Sequence, residues 1–285
     1  MSTTMSKKKA ASKKVQKKSH APMAATADRH VCYQKSVQCV EAEIDFVDET
    51  FKELRGRNAV LLREDFCGTA NTSSEWVKRR RTNRAIGVDL DGPTLDWGRE
   101  NNLASLTEAQ RSRVTLLQEN VMTVDAEPVD CVLAMNFSYF IFQERAQMIA
   151  YYKSVRESLI DGGIFFLDCF GGYESFKECT DEREIDDELT YVWDQHRYDP
   201  ITGEMDCFIH FHFSDGSKMR KAFTYTWRMW TLPEIREMLT EAGFKNVTVY
   251  WEGTEEGTDE GDGNFEPAEE GEADPAWICY VVAEK

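Results

Sequence analysis

The apolar positions in the first half of the chain follow two alternating rhythms. Between residues 40 and 54, apolar side chains recur every three or four positions, which predicts an amphipathic helix that ends at Gly56. Strands that alternate with helices predict a parallel sheet with helices on both faces. Helical patterns separate five short apolar runs that predict such strands, at residues 58–65, 84–91, 113–120, 129–135 and 163–168.

The pattern changes in the second half of the chain. Residues 188–229 predict antiparallel strands, because an Asp-Gly pair separates two strand-like runs in "FHFSDGSKMRKAF". A helix is predicted from Thr231 to Gly243, followed by two final strands at "NVTVYWE" and "AWICYVVAE". Between these strands, residues 252–274 contain eleven acidic residues and no basic residue, which predicts a long exposed loop.

Charge is distributed unevenly along the sequence. Residues 1–20 contain seven lysines and no acid, although the whole chain of 285 residues has a net charge of −17. We therefore predict a disordered lysine-rich tail at residues 1–28 and a single domain at 29–285, which begins with a helical cover at 29–57. The acidic body would repel a phosphate backbone, so duplex nucleic acid is not expected as its partner. The tail is a solvated arm, a nuclear address or an anchor to an acidic surface.

Hydropathy and cysteine usage favour a location inside the cell. No apolar run approaches the roughly 20 residues that span a bilayer, and no charged start leads into an apolar signal segment. The eight cysteines are scattered without a Cys-x-x-Cys pair, which is typical of reduced thiols. We expect a cytoplasmic protein, or a nuclear one if the lysine-rich tail acts as an address.

Acidic side chains end the first two predicted strands. The stretch "LLREDFCGTANTSSEW" places Asp65 and Gly68 after the first strand, and Asp89 ends the second. Ligands of parallel sheets bind beyond the carboxyl ends of the strands, where Gly68 permits close approach and Asp89 can accept hydrogen bonds from both ribose hydroxyls. A dinucleotide fingerprint would require glycine in place of Phe66 and Asn71. A cationic nucleoside without phosphate, such as S-adenosylmethionine, therefore fits this loop better.

The loop after the first strand resembles the D-x-G-C-G-T-G motif of class I S-adenosylmethionine-dependent methyltransferases. Four residues match the motif: Asp65, Cys67, Gly68 and Thr69. Downstream, "IGVDLD", "LLQENV", "VDCVLAMNFSYF" and "SLIDGGIFFLD" are similar to later segments of that family, in the same order. The resemblance covers about residues 58–170 and 231–285. It implies a Rossmann-like α/β fold with a mostly parallel seven-stranded sheet and an antiparallel insertion after the fifth strand.

The resemblance also implies how S-adenosyl-L-methionine would be held as the cofactor. Asp89 would bind the ribose, and Asn120 with the backbone amide of Val121 would meet the adenine. The expected cofactor-binding residues are Asp65, Cys67, Gly68, Thr69, Ala70, Asp89, Leu90, Asn120, Val121 and Asn136.

The segment after the fourth strand gives information about the methyl acceptor. Enzymes that methylate the exocyclic amines of nucleobases resemble one another in an Asn/Asp-Pro-Pro-Tyr/Phe motif here, and the "NFSY" of this chain lacks both prolines. Three segments that leave the core sheet can cover the site: "YQKSVQ", "NFSYF" and residues 189–229. We predict that Tyr33, Phe137 and Tyr139 bind the acceptor, and that Tyr139 is also catalytic because its hydroxyl can orient a nucleophile.

Other reactive side chains have competing explanations. Cys67 is better explained as a motif residue than as a nucleophile, since no histidine lies near it in the sequence. His210 and His212 share one face of a predicted strand, where they line a pocket, hydrogen-bond across strands or supply a general base. No third ligand stands at a recognisable spacing, so no metal site is predicted, and His210 is the candidate base.

Together these patterns predict an enzyme, a methyltransferase that transfers a methyl group from S-adenosylmethionine to a nitrogen or oxygen atom of a small-molecule acceptor. Methyl transfer is an in-line displacement that needs alignment and the exclusion of water, and it needs no catalytic triad. Two alternatives stay open: a protein or peptide methyltransferase, and a non-catalytic subunit that binds S-adenosylmethionine.

Overall fold

The computed structural model describes residues 21–255, 257 and 261–285. Its larger sheet has a parallel half that comprises β1 (Leu61–Asp65), β2 (Arg84–Asp89), β3 (Val114–Gln118), β4 (Val129–Ala134) and β5 (Leu159–Gly171). The antiparallel remainder comprises β10 (Asn246–Thr254), β11 (Gly261–Ala268) and β12 (Trp277–Glu284). Within the described residues the strand order is β11-β10-β12-β5-β4-β1-β2-β3. The predicted, mostly parallel α/β sheet is confirmed, with eight strands instead of seven.

Two layers of helices cover this sheet and bury both faces of its central strands. Every residue of β1 and β4 is buried, as expected for strands inside a parallel sheet. One face packs against α3 (Val40–Arg55), α4 (Asn71–Arg79) and α5 (Gly92–Asn101), with the short α6 (Glu108–Arg111) leading into β3. The other face packs against α7 (Arg145–Ser158) and α8 (Leu232–Glu241).

A separate antiparallel sheet follows β5, as the sequence predicted. It consists of β6 (Cys179–Asp186), β7 (Leu189–Tyr198), β8 (Glu204–Phe213) and β9 (Lys218–Arg228), in that order across the sheet. The Asp215–Gly216 pair forms the turn between β8 and β9, and Gly216 has a φ of 83°. The insertion begins earlier than the predicted residue 188, because the polar strand β6 pairs with β7 along its length.

The N-terminal segment packs on this antiparallel sheet. The described part begins with α1 (Met23–Thr26) and α2 (Arg29–Ser36). Backbone amides of Met23 and Ala24 donate to Asp215 Oδ2 at 2.8 Å and to Ser217 Oγ at 2.9 Å. The prediction of a disordered tail over residues 1–28 is therefore wrong for residues 21–28. These contacts are made by backbone amides, so the side-chain pattern of the segment gives no sign of them. The lysine-rich residues 1–20 lie outside the described part.

The acidic segment predicted as a loop at 252–274 contains strand β11. This strand pairs antiparallel with β10, with Val249 opposite Ala268 and Glu252 opposite Phe265. Its residues are mostly exposed, so the acidic side chains remain in water at the edge of the sheet. The loop prediction is wrong for residues 261–268, and residues 256 and 258–260 lie outside the described part.

In the described ranges, no helix combines the length and apolar character that crossing a membrane requires.

Candidate active site

A cavity of about 490 Å³ lies beyond the carboxyl ends of β1, β2 and β4. Its floor is built from the loops that follow these strands, at residues 64–69, 89–94 and 135–138. Helix α2 and strand β9 close it from above, with Tyr33 and residues 221–225 among the lining. The three segments predicted to cover the site therefore meet at one cavity, whose volume is typical of small-molecule sites.

The loop after β1 has three residues in the left-handed region of backbone conformation. Phe66 has a φ of 57°, Gly68 of 52° and Ala70 of 53°. Such a conformation costs a non-glycine residue roughly 1–2 kcal/mol. Phe66 and Ala70 stand where the related motif has glycine, and the left-handed backbone at both positions explains that preference. This chain keeps the same backbone conformation with two non-glycine residues and carries the strain.

Hydrogen bonds to Asp89 connect the loops that follow β1 and β2. Its Oδ2 accepts a hydrogen bond from Gly68 N and its Oδ1 one from Asp91 N, both at 2.8 Å. Each carboxylate oxygen keeps a further lone pair for a ligand hydroxyl. A side chain at Gly68 would meet only Thr94 Cγ2, at 3.8 Å, so the space above the loop is open.

Asp65 lines the cavity, but neighbouring side chains engage its carboxylate. Its Oδ1 lies 2.8 Å from Arg63 Nε, and its Oδ2 accepts hydrogen bonds from Arg63 Nη2 at 3.0 Å and Tyr151 Oη at 2.9 Å. This buried carboxylate is thus used within the fold. Strand alternation turns the preceding Glu64 to the other face, where its Oε2 accepts hydrogen bonds from Ser73 N and Ser73 Oγ at 2.8 and 2.5 Å. The spacing of the related motif also places its acid at residue 64.

The remaining loop residues hold the loop in place. Cys67 is 3% exposed, and burial with the neighbouring carboxylates raises the pKa of its thiol well above the usual value, so it is a poor nucleophile. Thr69 Oγ1 accepts a hydrogen bond from Gln34 Nε2 of α2 at 2.9 Å. Ala70 is fully buried at the start of α4 and does not line the cavity.

Three predicted cofactor residues lie at the same sheet edge but outside the cavity lining. Leu90 is 64% exposed, next to Asp89. Asn120 Oδ1 accepts a hydrogen bond from Met122 N at 2.9 Å, and Val121 is buried in the core. Leu90 follows β2, one strand further out than the β1 strand that precedes Gly68, and Asn120 and Val121 follow β3, two strands further out.

The loop after β4 is held by Asp168, which lies within the last part of β5. Its carboxylate accepts hydrogen bonds from the amides of Asn136 at 2.7 Å and Phe137 at 2.9 Å, and both donors have positive φ values near 56°. Burial raises the pKa of Asp168 to about 7, although these hydrogen bonds oppose the effect. Asn136 lines the cavity, whereas Phe137 packs on Phe170, with ring centroids 4.7 Å apart, and does not line it.

The structure does not support Tyr139 as a catalytic or acceptor-binding residue. The side chain is completely buried, and its hydroxyl donates a hydrogen bond to the Asp168 carbonyl at 2.6 Å. The short turn that begins at Ser138 rotates Tyr139 into the core, while Ser138 and Ile141 line the cavity. The sequence pattern could not distinguish these two sides of a single helical turn.

His210 is likewise excluded as a base for the cavity. Its Nδ1 accepts a hydrogen bond from Lys221 N at 2.9 Å, so Nε2 carries the proton and faces Asp194 Oδ2 at 3.3 Å. Both nitrogens are therefore engaged within the antiparallel sheet, and the residue does not line the cavity. The alternative of hydrogen bonding across strands is the correct one.

Tyr33 lines the cavity, and the sequence did not single out several of its neighbours. Tyr225 and Trp227, in the segment 189–229 that was predicted to cover the site, also line the cavity and share one face of β9. Asp168 ends the predicted strand at residues 163–168, just as Asp89 ends the second one, so the sequence did mark it as a candidate. Buried Glu43 on α3 has no sequence signal, because it is one of several acids in that helix.

Several solved methyltransferase structures have a similar fold. A methyltransferase dependent on S-adenosylmethionine from Clostridium acetobutylicum has a TM-score of 0.66 at 17% identity, over 90% of this chain and 96% of its own. For CalS10, an amino pentose methyltransferase from Micromonospora echinaspora solved with S-adenosylmethionine bound, the TM-score is 0.64 at 17% identity, with 90% and 95% covered. For KedS8, a sugar N-methyltransferase from Streptoalloteichus, it is 0.62 at 15% identity, with 98% and 99% covered.

These likenesses establish the fold as the Rossmann-like fold of class I S-adenosylmethionine-dependent methyltransferases. No family model matches the sequence, and no curated protein matches it either.

Proposed function

We propose that the protein is an enzyme that transfers a methyl group from S-adenosylmethionine to a nitrogen or oxygen atom of a small-molecule acceptor. The observation that carries this proposal is the contact between the Gly68 loop and the Asp89 carboxylate on the floor of the cavity. Neighbours of the same fold are described as amino pentose and sugar N-methyltransferases, which supports a small-molecule acceptor.

The described residues fit an adenosyl ligand at this floor. Gly68 leaves the space above the loop open, and Asp89 has lone pairs available for two vicinal hydroxyls. We assign the adenine base to the surface beyond Asp89, formed by exposed Leu90 and the loop at residues 120–121. Bound there, S-adenosylmethionine would supply a methyl group on a positively charged sulfur.

The contribution of the protein is alignment and the exclusion of water. Helix α2 is attached to the cofactor loop through the Gln34–Thr69 hydrogen bond, and Gln38 Oε1 accepts a second one from Asn71 Nδ2 at 3.2 Å. Strand β9 closes the opposite side of the cavity. An acceptor held between them would be oriented toward the methyl group, which lowers the entropic part of the barrier.

Calorimetry tests cofactor binding directly. We expect the purified chain to bind S-adenosylmethionine and S-adenosylhomocysteine, and not NAD. The Asp89→Ala variant should weaken this binding by about 1.5–3 kcal/mol, the scale of hydrogen bonds to a charged group. Asp96→Ala is the matched control, because Asp96 is exposed on α5 and its one ion pair among the described residues is with Arg99 at 2.6 Å. Equal affinities of the Asp89→Ala variant and the wild type would refute the assignment.

Product formation tests catalysis. The isolated chain would be incubated with a metabolite extract and S-adenosylmethionine that carries an isotope-labelled methyl group, and the products would be analysed by mass spectrometry. A labelled small molecule is the expected result. Label found only in protein or peptide would favour the peptide alternative, and cofactor binding without any labelled product would favour a non-catalytic subunit.

A further inference from the structure

Aromatic rings form the wall of the cavity opposite the cofactor floor. Tyr33, Tyr225 and Trp227 all line the cavity, and the ring centroids of Tyr225 and Trp227 are 4.5 Å apart. Tyr33 also packs on Phe223, another ring of the cavity lining, with ring centroids 4.8 Å apart. Aromatic faces attract cations through their quadrupoles, most strongly where water is excluded.

Two buried carboxyl groups outside the cavity lining act electrostatically on Tyr33 of this wall. Glu43 and Asp168 are each only 8% exposed. Burial raises the pKa of the Tyr33 hydroxyl, and both carboxyl groups raise it further. Oε2 of Glu43 has no hydrogen-bond partner among the described residues. Asp65 is paired with Arg63, whereas no ion pair holds Glu43 or Asp168 in the part of the chain that the structure describes.

Arg29 and Lys221 also line the cavity, and each is placed over an aromatic ring and not beside Glu43 or Asp168. The Arg29 guanidinium lies over Phe223, 5.3 Å from the ring centroid. Lys221 Nζ lies 3.8 Å from the centroid of Phe208, a ring outside the cavity lining. A buried carboxyl group without a cation must be protonated or must face a cationic ligand. Burial raises the pKa of Glu43 to about 7, so this group can ionise near neutral pH when positive charge arrives.

We propose that the acceptor is an amine, and that Tyr33, Tyr225, Trp227 and the buried Glu43 stabilise the positive charge that its nitrogen acquires. This inference rests on the proposed function. The nitrogen lone pair forms the new bond to the methyl carbon while the carbon–sulfur bond breaks and leaves its electron pair on sulfur. Positive charge therefore moves from sulfur to nitrogen, and the methylammonium product releases its extra proton to water. A negative site that favours this developing charge accelerates the step.

An alcohol acceptor would gain less from this wall. Its oxygen must lose a proton to become the neutral ether, so no lasting positive charge develops on it. The aromatic rings would then have no positive charge to stabilise, and ionisation of the buried carboxyl groups would bring no compensating attraction. The electrostatics of the wall therefore discriminate between the two acceptor atoms that the proposed function leaves open.

Binding of a small cation tests the inference without knowledge of the natural acceptor. The probe is tetramethylammonium, with tert-butanol as a neutral molecule of similar size, titrated by calorimetry into the complex of the full chain with S-adenosylhomocysteine. We expect the cation to bind at least 10-fold more tightly than the alcohol. Glu43→Gln should weaken cation binding at least 5-fold at pH 8, and Tyr33→Leu should weaken it as well.

The control variant is Glu49→Gln, which neutralises an exposed acid on the same helix and should leave the cation affinity unchanged. Equal binding of the cation and tert-butanol, or an unchanged affinity in Glu43→Gln, would overturn the amine inference while the cofactor site stands. If S-adenosylhomocysteine itself fails to bind, the proposed function is refuted, and the amine inference falls with it. A labelled O-methyl product from the metabolite extract would also overturn the inference.

Discussion

Glu43 allows a quantitative test of the electrostatics beneath the cavity. Burial raises the pKa of this carboxyl group from 4.5 to about 7, and a hydrogen bond from the Cys39 amide only partly opposes the effect. Below pH 4.5 the group is protonated in both the folded and the unfolded chain. Between pH 4.5 and 7 only the unfolded chain ionises it, so the free energy of unfolding falls as the pH rises. Above pH 7 the group is ionised in both states, and the free energy of unfolding falls no further.

The expected magnitude follows from the difference between the two pKa values. At about 1.4 kcal/mol for each pKa unit, burial of this group costs the folded chain about 3 kcal/mol at pH 8. Glu43→Gln has the same shape, can keep the hydrogen bond from Cys39 and does not titrate. We therefore expect the variant to gain about 3 kcal/mol of unfolding free energy relative to the wild type between pH 4.5 and 8.

Urea unfolding at a series of pH values measures this difference. Because ionised Glu43 also raises the pKa of Glu64 and Asp168, its removal should increase the effect in the same direction. Glu49→Gln serves as the control and should track the wild type at every pH, since Glu49 is exposed. If the variant and the wild type differ by the same amount at pH 5 and pH 8, within about 0.5 kcal/mol, Glu43 is not an unpaired buried acid and the reasoning fails.

Two further predictions concern residues whose expected roles the structure changed. Tyr139→Phe removes one buried hydrogen bond, so it should lower the free energy of unfolding by about 0.5–1.5 kcal/mol. Calorimetry should show a cofactor affinity within a few-fold of the wild type. A loss of turnover at unchanged stability would instead support Tyr139 as an acceptor-binding residue. A chain that begins at residue 29 should be about 2 kcal/mol less stable than one that begins at residue 21, since it lacks the Asp28 cap of α2 and the hydrogen bonds of Met23 and Ala24; equal urea midpoints would show that residues 21–28 contribute nothing.

The sequence by itself determined the architecture of this protein. Its apolar runs are short, continuous and separated by helical patterns, and only a parallel sheet buried on both faces satisfies such runs. It also indicated where the cavity lies, because Gly68 and Asp89 follow two strands whose carboxyl ends must meet at one edge. The positive φ values at Phe66 and Ala70 show why that edge favours the glycine-rich motif, even though this chain departs from it.

Only the tertiary structure decided which side chains face the cavity. One helical turn separates Ser138, which lines the cavity, from Tyr139, whose hydroxyl is consumed in the core. One step along β1 separates Glu64 from Asp65, and only the packing of α4 and α7 assigns their partners. Glu43 resembles the other acids of its helix until the fold buries it. Local periodicity specifies the side of an element that is apolar, whereas burial, pairing and charge compensation depend on residues that are distant in the sequence.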